Sequence, residues 1–107
     1  MFSVQPITDE ILRTRDHFLL FIQTPFCGTC QLARTFLNQI ENTLNRDFFY
    51  DMNGSLYPDF LQKNKIRSVP CLLMYVNGHI EKEIYVFHST ANILSEITDF
   101  DLQLFEI

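Results

Sequence analysis

Five consecutive apolar residues, Phe18-Leu19-Leu20-Phe21-Ile22, lead into Thr24-Pro25-Phe26-Cys27-Gly28-Thr29-Cys30, and beyond them the hydrophobic period changes. A short unbroken apolar run reads as a strand buried on both faces. Thr24 and Pro25 end it. From Gly28 to about Leu44, the residues Leu32, Ala33, Phe36, Leu37, Ile40 and Leu44 recur at helical intervals. Gln31, Arg34, Asn38, Glu41 and Asn42 take the other faces, which makes this the clearest amphipathic helix in the chain. A Cys-x-x-Cys pair therefore sits where a buried strand gives way to the start of a helix.

The remaining signals fit around that junction. Thr8 before Asp9 and Glu10 reads as a capped helix start, with the helix running to about Asp16. Phe48-Phe49-Tyr50 reads as a strand, Asp51 to Ser55 as a polar loop, and Pro58 to Asn64 as a short helix with proline in its first turn. Pro70 opens an apolar run from Cys71 to Val76, Asn77-Gly78 is a strong hairpin signal, and His79 to about Phe87 is the partner strand. Ser89 or Thr90 can cap a last helix with Ile93, Leu94, Ile97 and Phe100 on one face. The order α, β, α, β, α, β, β, α predicts an α/β fold, a mixed sheet flanked by helices over a single domain, 1–107. The hairpin strands must be antiparallel, and the earlier strands, separated by helices, are expected to be parallel.

Composition narrows the function. Hydrophobic residues make up 47% of the 107, enough for a packed core, with 11 Phe and no Trp. The net charge is −5 and the 8 Lys and Arg form no basic stripe, which argues against nucleic acid as a partner. The cysteine count is 3, an odd number unlike a disulfide-stapled secreted domain. Met1 to Pro6 lacks the pattern of a signal peptide, and Phe18 to Ile22 is too short to span a bilayer. The expectation is a cytoplasmic protein that does not act at a membrane, where a Cys-x-x-Cys pair is catalytic or metal-binding rather than structural.

Zinc needs four ligands as a rule, and no second Cys-x-x-Cys or paired His-x-x-x-His accompanies the first. Cys71, His17, His79 and His88 are scattered, and the histidines read as surface or strand-end residues. No metal and no cofactor is expected. The two sulfurs can carry the chemistry themselves. A thiolate at Cys27 gains from the positive end of the helix, which lowers its pKa. Cys30 lies one turn on, on the same side, within bonding reach. Cys27 is then the nucleophile that forms a mixed disulfide, and Cys30 resolves it. The loop they close contains only Gly28 and Thr29, so the bond is a weak staple and suits a redox carrier.

Ile66-Arg67-Ser68-Val69-Pro70 precedes the third strand, and proline belongs at a strand's first residue. Together with Phe26-Cys27-Gly28-Thr29-Cys30 and the later Asn77-Gly78, this stretch resembles the thioredoxin family, from about Phe18 to Phe100. The resemblance implies a thioredoxin-like fold with a central four-stranded mixed sheet, to which only Phe2 to Val4 could add a short first strand. It implies a cis bond between Val69 and Pro70 facing the cysteines. Val69 and Pro70 would then shape a groove for an extended substrate segment and keep metal from the thiols. Phe26, beside the thiol, is a candidate apolar contact for partners.

The sequence departs from that family at three places. Phe26 stands where the family has Trp, and Thr29 where it has Pro. Thr29 adds a hydroxyl and a backbone N–H near the sulfurs, which favours the thiolate and predicts a more oxidising pair. Phe21 stands where the family buries an aspartate, so Cys30 must lose its proton through water or some other group. Cys71 reads as a buried small hydrophobe, with a third redox thiol as the alternative. The function expected is reduction of protein disulfides, or of protein mixed disulfides, with recycling by a thioredoxin reductase or a low-molecular-weight thiol. The alternatives are an adaptor module with a redox-sensitive cysteine pair and, third, a metal or iron–sulfur dimer bridging two pairs.

Overall fold

In a computed structural model, described for residues 5–100, the run Phe18 to Ile22 lies inside the strand at the middle of the sheet. The elements are β1 (Gln5–Pro6), α1 (Asp9–Thr14), β2 (His17–Gln23), α2 (Gly28–Leu44), β3 (Phe49–Asn53), a 3₁₀ turn (Gly54–Leu56), α3 (Pro58–Lys63), β4 (Cys71–Val76), β5 (His79–Ile84) and α4 (Thr90–Phe100). The five strands are ordered β1-β3-β2-β4-β5. β3 runs parallel to β1 and β2, while β4 runs antiparallel to β2 and β5.

β2 is unbroken in its hydrophobicity because both of its faces are covered. Leu19 and Phe21 pack with Ala33, Leu37 and Ile40 of α2 and Ile93 and Ile97 of α4. Phe18, Leu20 and Ile22 point the other way, toward Ile11 and Leu12 of α1 and Phe60 and Leu61 of α3. β5 is an edge strand whose His79, Glu81 and Glu83 are exposed, and charge on an open edge discourages pairing with other chains.

Local chemistry sets the element ends. Thr8 accepts the Ile11 N–H through its hydroxyl at 3.2 Å, and Ser89 accepts that of Asn92 at 3.0 Å, so Ser89 rather than Thr90 is the cap. The Thr90 hydroxyl instead bonds the Gln39 side chain, tying α4 to α2. Asn77 and Gly78 have φ of 53° and 81°, the double positive φ that a tight hairpin demands.

Several details differ from the sequence reading, among them the ends of α1 at Thr14 and of β5 at Ile84, short of Asp16 and Phe87. The short first strand is Gln5–Pro6, whereas Phe2 to Val4 lie outside the described residues, as does the Phe100 side chain. β3 continues through Asp51 to Asn53, in place of the expected loop, because Met52 is buried and Phe49 to Asn53 pair in register with Leu19 to Gln23 of β2. Leu32 is 54% exposed although it fits the apolar stripe of α2. Glu41, read as a polar-face residue, is buried and accepts the backbone N–H groups of Phe48 and Phe49 at 2.8 and 3.2 Å. Those two donors lie just before and at the start of β3, and the buried carboxylate satisfies them.

Candidate redox site

The chain leaves β2 at Gln23 and turns sharply through Pro25 and Phe26 into α2. Phe26 has φ 65°, a left-handed conformation that is costly for a bulky residue, and its ring is fully exposed. Cys27 is the N-cap of α2. Its Sγ accepts the Cys30 N–H at 3.2 Å and lies 3.4 Å from the Thr29 hydroxyl. Sulfur thus occupies the place that Ser or Asp usually takes at a helix start, with the Cys30 N–H directed at it. Cys27 and Cys30 are joined as a disulfide, with Cα atoms 5.2 Å apart. Cys27 is partly exposed, while Cys30 is 3% exposed. Gly28 is not forced by backbone geometry, since a Cβ there would meet nothing.

The Val69–Pro70 bond is cis. Val69 is half-buried and Pro70 buried. With Thr29, Leu32, Val86 and Phe87 they line a groove of about 350 Å³. Leu32 and Val86 are 54% and 57% exposed, so the groove has an apolar rim. Phe26 does not join it. Its ring borders a second cavity, of about 240 Å³, together with Phe21, Gln23, Cys30, Arg34 and Asp51.

That second cavity contains the residues sequence reasoning missed. Phe21 is buried and pairs in register with Asp51 of β3. Asp51 Oδ2 accepts a hydrogen bond from Gln23 Nε2 at 3.1 Å, and Oδ1 lies 3.9 Å from Arg34 Nη1. The Arg34 guanidinium also sits over the Phe21 ring at 5.7 Å. Burial pushes the Asp51 carboxyl above the usual range, against the opposing pull of Gln23 and Arg34. The available signal was the Phe49-Tyr50-Asp51-Met52 alternation, which puts Asp51 on the same face as Phe49.

Cys71 is reduced and buried, packed among Ile7, Ile22, Met52 and Leu73 on the α1/α3 face of the sheet. The opposite face carries α2 and hence Cys30. Burial pushes the Cys71 thiol up to about 12. His17, His79 and His88 are all exposed, on β2, on β5 and in the loop before α4 respectively. Among the described residues no three His, Cys, Asp or Glu side chains gather as a metal site. No helix among them is long and apolar enough to cross a membrane.

A mixed five-stranded sheet between two helical layers, a disulfide at the N-terminus of α2 and a cis proline heading β4 define a protein of the thioredoxin fold. The sequence carries the assignment further, since residues 3–99 match the family model for thioredoxin. Over 76 residues the chain is 41% identical to the thioredoxin-like protein YusE of Bacillus subtilis, covering 71% of this chain and 72% of that one. The chain belongs to the thioredoxin family, which at family level is one of thiol–disulfide oxidoreductases acting on disulfide substrates. Two solved structures share the fold at low identity. Oxidised thioredoxin of Plasmodium falciparum superposes with a TM-score of 0.74 at 18% identity, over 92% of this chain and 98% of that one. Oxidised mitochondrial thioredoxin 3 of Saccharomyces cerevisiae gives 0.72 at 15%, over 91% and 95%.

Proposed function

We propose that this chain reduces disulfides in proteins, or mixed disulfides between a protein and a low-molecular-weight thiol, using Cys27 as nucleophile and Cys30 as resolving thiol. The observation that carries this is the Cys27 sulfur at the N-cap of α2, 3.2 Å from the Cys30 N–H. In the reduced protein that N–H and the helix end stabilise a Cys27 thiolate. The thiolate attacks a substrate sulfur, a Cys27–substrate bond forms and the first substrate thiolate leaves. Cys30 then loses its proton and attacks Cys27 Sγ. The intramolecular disulfide forms and the second substrate thiolate departs. Two electrons have passed to the substrate, and an external reductant, a thioredoxin reductase or a small thiol, returns them.

The groove beside the pair suits an extended segment. Val69 offers backbone groups for strand-like pairing, and Leu32, Val86 and Pro70 offer apolar contact. Gly28 and Thr29 complete the active turn, and Phe26 adds an exposed ring at its edge. Free, buried Cys71 fits a reducing compartment such as the cytoplasm.

A second reading, an adaptor whose groove docks a partner while the cysteines act as a latch, draws on the same apolar rim. Reduction of insulin, with and without a thioredoxin reductase, separates the two. The expected result is turnover by the wild type and loss of at least about a thousandfold in Cys27→Ser. Groove binding that survives in Cys27→Ser without any wild-type turnover supports the adaptor.

A further inference from the structure

We propose that Asp51 accepts the proton that Cys30 must lose during resolution, passed through water in the cavity that the two residues share. This rests on the assignment of Cys30 as the resolving thiol. Cys30 is the buried member of the pair, so its proton cannot simply leave to bulk solvent on the exposed side. Cys30 lines the half-open 240 Å³ cavity, which has room for several waters at about 30 Å³ each. Asp51 is the carboxylate that lines it.

The surroundings of Asp51 suit a proton acceptor. Oδ2 is engaged by Gln23, but Oδ1 is 3.9 Å from Arg34, too far for a direct hydrogen bond. Oδ1 is therefore the oxygen left to take a proton. Arg34 Nη1 is itself buried with no hydrogen-bond partner, which leaves it free to orient a bridging water. The Asp51 and Arg34 side chains are only 15% and 17% exposed, so their positions are held by the fold. Burial raises the carboxyl toward the thiol range, narrowing the mismatch for proton transfer, while the arginine charge favours the ionised form.

The step balances. The Cys30 thiol gives its proton through water to the Asp51 carboxylate, the Cys30 thiolate attacks Cys27 Sγ, and the substrate thiolate leaves. Asp51 afterwards returns the proton to solvent. The groups facing Asp51 are Arg34 and Cys30 from α2 and the neutral Gln23 from β2. Its pairing partner in β1, Pro6, carries nothing titratable.

The test follows single turnovers of the full-length reduced protein with a chromogenic aromatic disulfide, across pH. Cys27 attack releases one aromatic thiol, and Cys30 attack releases the second. In Asp51→Asn the second release is expected to slow by about tenfold or more at neutral pH, with the first unchanged. The wild-type and variant rates should converge in alkali, where hydroxide deprotonates Cys30 directly. In Gln23→Leu the donor that holds the carboxyl down is gone, so the acid limb of the second release should move to higher pH. Equal or faster second release in Asp51→Asn at all pH values overturns the proposal, because the carboxylate charge would then only hinder the Cys30 thiolate. An unmoved acid limb in Gln23→Leu overturns it too. A wild type whose Cys27 mixed disulfide never releases the second thiol overturns the resolving assignment itself and this proposal with it.

Discussion

Cys27 and Cys71 are the same side chain under opposite electrostatics. Cys27 ends a turn, is partly exposed and accepts a helix N–H. Cys71 opens β4 directly after the cis proline, is fully buried, and packs on the far face of the sheet. At Cys27 the helix end favours the anion. At Cys71 removal from water opposes it, and a thiol pushed up to about 12 is almost wholly protonated at neutral pH. Burial on the far face of the sheet, rather than distance along the chain from the proline loop, sets the Cys71 thiol apart.

The contrast is most easily broken by alkylation. In the reduced protein at pH 7, Cys27 is expected to react more than about a thousandfold faster than Cys71, since the thiolate fractions differ at least that much. Raising the pH should speed Cys71 until its own high pKa, so the gap narrows in alkali. Peptide mapping after timed alkylation measures both rates. Comparable rates at neutral pH would erase the distinction, as would a disulfide linking Cys71 to Cys27 or Cys30 in the oxidised protein.

A smaller effect sharpens the same point in stability. Cys71→Ala removes a packed sulfur from a core bounded by Ile22, Met52 and Leu73. The expected cost is about 1–2 kcal/mol, from lost burial and the residual cavity. Denaturant unfolding reads that loss, and disulfide reduction should be unaffected. Lost turnover at retained stability would instead place Cys71 in the chemistry.

What could be read from the sequence follows the same division between local and lateral. The strand-to-helix junction at Cys27, the Thr8 cap and the Asn77-Gly78 hairpin depend on neighbours along the chain, and each is legible in a few residues. Asp51 is different. A polar residue after Phe49-Tyr50 looks like the end of a strand until Phe21 is known to stand beside it. Its surroundings come from β2 and α2, through a register that the sequence does not spell out. Glu41 is hidden for the same reason, because its partners, the Phe48 and Phe49 N–H groups, come from the loop that follows α2 and the start of β3. Leu32 fits the helical period but faces the groove, since the core-facing stripe of α2 is narrower than its apolar content.

The smallest expected effect concerns how the Cys27 environment is tuned. The Thr29 hydroxyl lies 3.4 Å from Cys27 Sγ, close enough to donate to a thiolate and of little use to a disulfide sulfur. It therefore stabilises the reduced protein relative to the oxidised one, which raises the reduction potential. Thr29→Val keeps the shape and removes the donor. The potential should fall by about 15 mV, roughly a threefold change in the equilibrium constant, with a matching rise in the Cys27 pKa. Equilibration against a defined thiol buffer, read by alkylation, resolves a shift of that size. Cys71 provides the internal control, because it lies across the sheet and its alkylation rate should stay constant. A potential that does not move would mean that the Cys30 N–H and the helix end alone govern the thiolate, leaving Thr29 as a spacer.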